Sequence, residues 1–359
     1  MIRCVVLAVM VLLAAASAPR AQQPVFKAGV STVPVYATVV DSDGRLVTGL
    51  TADDFEIYDN GVRQPITLFD SGERPITIVV MLDRSISMQP HFALLADAAR
   101  AFVDTLRPDD RVRIGSFADE IRIEPEDFSS DPDELRRIID RRLVRAGATP
   151  LWAAIDAGLD ALAPEGGQRV LVVFTDGRDS PGLGHHVPFP DILARVSAEE
   201  PIVYGIGLDY VCQDARTTVD GVPVLAQHRG PGPLLGPRAP QFPRPGRPPS
   251  IPGGGAPRPM PVPTPPSRPW RRFGDGCRST GPDPDLRRLV EVGGGGYFEL
   301  ESTADLTAAF ERISHEIHNQ YLIGYTPPAL DGTLHALEVR VRRADLTVRA
   351  RRSYLAAAD

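Results

Sequence analysis

A chain of 359 residues is more than one small domain needs, so two folded units with a linker or tail are expected. Hydrophobic residues at 43% and charged residues at 24% are the proportions of globular protein and suffice for a sizeable core. A net charge of −7 argues against general nucleic-acid binding, because a polyanion would be repelled.

Residues 1–21 read as a secretory signal. Arg3 supplies the positive start, residues 5–16 form an apolar run, and Ala16-Ser17-Ala18 and Pro19-Arg20-Ala21 offer small-residue exit sites. Pro19 follows a cleavage poorly, which favours a cut after Ala21. The alternative is an uncleaved anchor, for which the run is short. No later segment is long and apolar enough to span a membrane. Cys4 precedes the apolar run, which argues against a lipoprotein. The expected location is therefore secreted, periplasmic or cell-envelope. Removing the signal leaves Cys212 and Cys277, and an even pair in an oxidising compartment suggests a disulfide, with two unrelated thiols as the alternative.

Residues 22–72 read as a β-rich, immunoglobulin-like segment. Val33, Val35, Ala37 and Val39 alternate with polar or small residues, the period of a half-buried strand. Asp41-Ser42-Asp43-Gly44 is a turn. Phe55 and Ile57 lead into Asp59-Asn60-Gly61, a hairpin signal, with Val62, Ile66 and Leu68 beyond it.

The pattern changes to α/β over residues 73–319. Residues 76–82 are a near-continuous apolar run, as in a strand covered on both faces. Helical spacing over 91–106 puts Leu94, Leu95, Ala98, Phe102 and Leu106 on one side. Strand 111–117, helices 131–142 and 151–162, strand 170–175, helix 192–200 and strand 202–208 follow. This alternation predicts a doubly wound, mostly parallel sheet with helices on both faces. Residues 211–282 interrupt it with a Pro/Gly/Arg-rich insertion, where Arg229 to Arg272 contains eight arginines and no acid. Such a composition predicts an extended, partly polyproline segment. It reads as a spacer, or as a site for an acidic or polyproline-reading partner. A Cys212–Cys277 disulfide would close its neck, at most about 4 kcal/mol by chain entropy. Helix 285–292, strand 296–300 and helix 303–319 resume the α/β rhythm. Residues 320–359 return to β, with strands at 320–325, 334–342 and 346–352. The two terminal β segments are expected to join in one sandwich flanking the α/β domain.

Three loops carry oxygen-bearing residues to one edge of that sheet. Asp83-Arg84-Ser85-Ile86-Ser87 follows the first buried strand, Gly147-Ala148-Thr149 precedes a helix, and Thr175-Asp176-Gly177 ends another strand. Ligands of open α/β sheets bind beyond the carboxyl ends of strands, where connections diverge. Hydroxyl and carboxylate donors without His or Cys suit a hard cation, Mg²⁺ or else Ca²⁺ or Mn²⁺. Two carboxylates against a 2+ ion leave it near neutral, so an outside acid can bind it. Taken singly, Asp83 and Asp176 read better as helix caps, and Ser85 and Ser87 as loop hydroxyls; together, in this order and strand context, they read as a metal site. His185-His186 reads as a solvated pair. Asp119 and Asp179 read as carboxylates supporting the site from behind or facing solvent.

The set resembles the metal-ion-dependent adhesion site of von Willebrand factor type A domains, over residues 74–210 and 283–319. The resemblance implies that Ser85, Ser87 and Thr149 ligate the cation directly, and Asp83 and Asp176 directly or through water. Asp43-Gly44-Arg45 through Leu50-Thr51-Ala52-Asp53-Asp54-Phe55, and Gln320-Tyr321-Leu322-Ile323-Gly324-Tyr325, resemble a bacterial family of exported proteins of this kind. It implies adhesion to a protein partner through an acidic residue, not catalysis. One competing function is an envelope structural or assembly protein with a structural metal. The other is a hydrolase using Ser85, Ser87 or a metal-bound water, but no Gly-x-Ser-x-Gly elbow surrounds these serines.

Overall fold

A computed structural model describes residues 32–142, 147–181, 186–209, 281–301 and 305–357, with the backbone alone of 218–219 and 222–223. The expected signal at 1–21, Cys212, Cys277, His185 and nearly all of the 211–282 insertion lie outside the described residues.

The chain opens with β1 (Val33–Val40), β2 (Phe55–Asp59), β3 (Val62–Gln64) and β4 (Leu68–Asp70). The α/β part follows as β5 (Ile76–Asp83), α1 (Phe92–Asp104), β6 (Arg111–Phe117), β7 (Ile121–Ser129), α2 (Pro132–Arg142), α3 (Leu151–Leu162), β8 (Gln168–Thr175), α4 (Phe189–Glu199) and β9 (Ile202–Leu208). A two-residue pair, β10 (Thr218–Val219) and β11 (Val222–Pro223), precedes α5 (Pro284–Gly293), β12 (Tyr297–Leu300) and α6 (Leu306–His318). The chain closes with β13 (Tyr321–Tyr325), β14 (Leu334–Val341), β15 (Thr347–Ala350) and β16 (Ser353–Leu355).

The central sheet runs β12-β9-β8-β5-β6-β7, parallel except for β7. Every residue of β5 is buried, because helices cover both faces. Ile78, Val80 and Leu82 pack with α1, α2 and α6, whereas Val79 and Met81 pack with α3, α4 and α5. The period-two alternation thus divides one apolar run between two cores. Leu94, which helical spacing put with the core side of α1, is exposed. From β5 the chain passes to β6 on one side and later to β8 on the other, so the connections part beyond the carboxyl end of β5.

The terminal segments build two further sheets, β15-β1-β13-β4 and β16-β14-β2-β3. Each combines strands from both ends of the chain, and one core of Val35, Val39, Phe55, Ile57, Tyr321, Ile323, Leu337 and Tyr354 lies between them. The sandwich is thus closed by N- and C-terminal segments together.

A polar knot sits at the end of that core. Asp59, wholly buried, accepts hydrogen bonds from Tyr325 (2.9 Å) and Tyr354 (2.6 Å) and lies 2.7 Å from His335 Nδ1. His335 Nε2 is 3.3 Å from Asp331. Burial pulls the His335 pKa down, but hydrogen bonds and charge from Asp59 and Asp331 outweigh it and hold the pKa above 6.5. A raised pKa means the folded state holds a proton the unfolded chain has released. The contribution of His335 is therefore full below its unfolded pKa and fades as pH rises through the folded value. Urea unfolding should show a larger gap between wild type and His335→Gln at about pH 5 than at about pH 9; an equal gap at both would refute the charged knot. Asp59→Ala should cost about 3–5 kcal/mol, because it leaves the buried Tyr325 and Tyr354 hydroxyls and the His335 ring without their shared acceptor.

Candidate functional site

The parallel register pairs Leu82 with Phe174, so β5 and β8 end side by side. Asp83 closes β5 and Thr175 closes β8. Asp83 is buried, its Oδ1 accepting the Ser85 N–H (2.8 Å) and its Oδ2 the Thr175 hydroxyl (2.6 Å). The Thr175 Oγ1 also accepts the Gly177 N–H at 3.1 Å, which fixes the loop that carries Asp176. The hydroxyls of Ser85 and Ser87 lie 3.0 Å apart, and Ser87 donates to Asp176 Oδ1 at 2.9 Å. Their alternation with Arg84 and Ile86 brings both hydroxyls together and leaves Ile86 exposed.

Thr149 arrives from a third loop. Its backbone forms a two-way bridge with Ser180, N–H to O at 3.1 Å and back at 2.8 Å. Its hydroxyl lies beside Gly177, where an added Cβ would stand 3.7 Å from Thr149 Oγ1. The preceding turn is held by Asp119, which accepts the N–H groups of Gly147 and Ala148, both at 3.0 Å. A Cβ at Gly147 would fall 2.3 Å from Asp119 Oδ1, so a glycine is required for this approach. Asp179 accepts the Trp152 N–H at 3.2 Å and so caps α3 immediately behind Thr149.

The electrostatics are those of buried acids. The Asp83 pKa is pushed up to about 7, first by burial and then by the charge of Asp176, against hydrogen bonds from Thr175 and Ser85. Burial raises Asp176 as well, opposed by the Ser87 hydroxyl and its own backbone N–H. Burial also raises Asp179; the N–H groups of Trp152 and Leu151 oppose it, Asp283 adds to it and the exposed His186 opposes it. Asp119 moves the other way, lowered by the Ala148 and Gly147 amides. Asp176 Oδ2 is buried and has no hydrogen-bond partner among the described residues. An uncompensated carboxylate oxygen among hydroxyls and a second acid suits a hard divalent cation, which would satisfy it and remove the repulsion.

The sequence therefore points to five residues that the fold brings to one edge: Asp83, Ser85, Ser87 and Asp176 in direct succession, and Thr149 alongside Gly177. Asp119 and Asp179 prove to be loop and helix anchors. Two supports were missed. The grip of Thr175 on Asp83 was signalled only by a hydroxyl at the strand end. For Asp283 the sequence offers only a local signal, the helix-start pattern Asp283-Pro284-Asp285, and none for a contact across the sheet edge.

A parallel sheet with hydroxyls and acids gathered at its switch point defines the class. Residues 78–178 match the family model for the von Willebrand factor type A domain, so this part of the chain is a domain of that type. No relative among curated proteins matches. One similar solved structure is the von Willebrand domain of the type V pilus tip protein Mfa5 from Porphyromonas gingivalis, at 21% identity and TM-score 0.28, covering 30% of this chain and 39% of that one. Another is an aerotolerance-related membrane protein from Bacteroides fragilis, at 19% identity and TM-score 0.40, covering 67% and 98%. A third is a von Willebrand factor type A protein from Catenulispora acidiphila, at 11% identity and TM-score 0.41, covering 92% and 75%.

The mutual repulsion of Asp83 and Asp176 gives a stability prediction for the cation-free protein. Asp83→Asn keeps an oxygen for the Ser85 amide and offers its own N–H to Thr175, while removing one of two buried charges. In chelator at about pH 8 it should unfold at higher urea than wild type, by roughly 1–3 kcal/mol. A variant less stable than wild type would show that the acids do not oppose each other.

Proposed function

We propose that the chain is an exported, divalent-cation-dependent protein-binding module. In this reading Asp83, Ser85, Ser87, Thr149 and Asp176 hold Mg²⁺, or else Ca²⁺ or Mn²⁺, and a partner's acidic residue completes the site. The observation that carries the reading is the buried Asp176 carboxylate, whose Oδ1 takes the Ser87 hydroxyl next to Ser85 and whose Oδ2 has no hydrogen-bond partner among the described residues. When bound, the cation supplies Lewis-acid attraction for an outside carboxylate.

The chain's own residues do the rest. Thr175 and the Ser85 amide hold Asp83 in place, and Ser87 positions Asp176. Two acid charges offset a 2+ ion, so a third carboxylate from outside meets little opposition. Ile86, between the two serines and exposed, offers apolar contact beside that carboxylate. Ser85 bonds to Ser87 and Ser87 to Asp176, so both hydroxyls are engaged beside an acid, and no Gly-x-Ser-x-Gly elbow surrounds them, which favours binding over serine hydrolysis. The signal-like residues 1–21 support export, and among the described residues no helix is long and apolar enough to cross a membrane.

Titration calorimetry with Mn²⁺ and Mg²⁺ should give a single site in wild type and none in Asp83→Ala or Asp176→Ala. Capture from the exported fraction should yield a partner in Mg²⁺ that is lost in chelator and on Asp83→Ala. A partner retained by Asp83→Ala would remove the cation from the contact. A large melting shift with cation but no partner would instead favour a structural metal, and ester or peptide turnover lost on Ser85→Ala would favour a hydrolase.

A further inference from the structure

We propose that Asp283 is a positioning residue for the cation site, holding from behind the loop that carries Asp176 and clamps Thr149. The inference rests on the reading of the site given above.

The loop at 176–180 is where the site's three segments meet. On one side Ser180 pairs with Thr149 in both directions, and Asp179 accepts the first amides of α3. At its start Gly177 is pinned by Thr175, which also holds Asp83. These bonds draw the loop toward Thr149 and β5. What fixes its other side is Asp283, which lies 104 residues further along from Asp179.

Asp283 uses three of its groups there. Its N–H donates to Gly177 O at 3.2 Å, one residue from Asp176. Its Oδ2 accepts the Asp179 N–H at 3.1 Å, and its Oδ1 accepts the Asp285 N–H at 3.0 Å, capping α5. Asp283 is therefore shared between a helix that packs against the sheet and a loop that shapes the site. Without it, the Asp179 amide loses its acceptor, and the Asp176 and Thr149 oxygens lose a common reference to the sheet. Residues that orient ligands from behind typically change metal affinity by about 10–100-fold when removed.

The placement also bears on the long insertion. Asp209, just after β9, and Gly281 lie together: a Cβ at Gly281 would stand 3.4 Å from Asp209 Oδ1. The chain thus departs and returns at one spot, and two residues after the return it is bonded to the site loop.

Capping and loop-holding are separable by substitution. Asp283→Ser keeps an oxygen short enough to cap α5 but too short to reach across to Asp179. Asp283→Asn keeps one acceptor oxygen that can serve one amide but not both. Mn²⁺ affinity should fall about tenfold in Asp283→Ser, with the cation-free melting midpoint within about 3 °C of wild type, and Asp283→Asn should fall between. Exchange of the Asp179 amide should quicken in Asp283→Ser. Wild-type affinity in Asp283→Ser would overturn the proposal while leaving the site intact, provided Asp83→Ala abolishes binding in the same series. Failure of wild type itself to bind Mn²⁺, or equal binding by Asp83→Ala, would overturn the site reading and this inference together. If Asp283→Ser does not fold, wild-type affinity in Asp283→Asn with unchanged amide exchange overturns it instead.

Discussion

Two carboxylates buried at the ends of neighbouring parallel strands set the terms for the rest of the site. Asp83 and Asp176 lose water on burial and repel each other, and each effect favours the neutral acid. An apolar pair at the same positions would pack without that cost. The neighbouring residues nonetheless supply donors that favour the charged form: the Ser85 amide and Thr175 hydroxyl to Asp83, and the Ser87 hydroxyl to Asp176. The supply is incomplete, because Asp176 Oδ2 takes no bond among the described residues. Nearly compensated charges with one oxygen left over would suit a cation and serve stability alone poorly.

The site also depends on how its edge is kept in register with the opposite end of the sheet. There Asp110, buried before β6, accepts the Ile76 amide, the Arg107 amide and His318 Nε2 at 3.1, 2.8 and 2.7 Å. One carboxylate thus fixes the start of β5, the α1–β6 turn and the end of α6. Directly after α6, Gln320 accepts from Gln168 at 2.9 Å and donates to Thr38 at 2.9 Å, linking β8 to β1 of the sandwich. A hydrogen bond of this kind is worth only about 1 kcal/mol net, but leaving its partner buried and unsatisfied costs more. The sandwich and the central sheet are therefore joined through β8, the strand that presents Asp176 at its other end.

Long, regular patterns made the architecture legible. The apolar run of β5 and the alternation of strand and helix specify a parallel sheet, and its strand ends then bring Asp83 and Asp176 to one edge. The antiparallel β7 was not legible, since Glu124, Pro125, Glu126 and Asp127 interrupt its alternation. Charge and proline are features that protect an exposed edge strand from pairing, so the protection hides the strand. Leu94 misled because helical spacing defines a stripe but not its outer limit. The motif Asp83-Arg84-Ser85-Ile86-Ser87 was readable because its residues are close in sequence. The supports were not, because Thr175 reaches across strands and Asp283 across the domain, and no short-range pattern records such contacts.

The position of the insertion follows from the same geometry. Asp209 and Gly281 are neighbours, so the chain between them closes a loop whose ends the fold already holds together. Loop-closure entropy grows only with the logarithm of length, so residues can be added there at small cost to stability. The constraint falls instead on where the chain comes back. Re-entry at the carboxyl edge of the sheet requires α5 to begin beside the Gly177 loop, and a helix start leaves amides that need an acceptor. Asp283 meets that need with one oxygen and has the other free to take the Asp179 amide. The residue required to restart the helix is thereby also the one placed to steady the site.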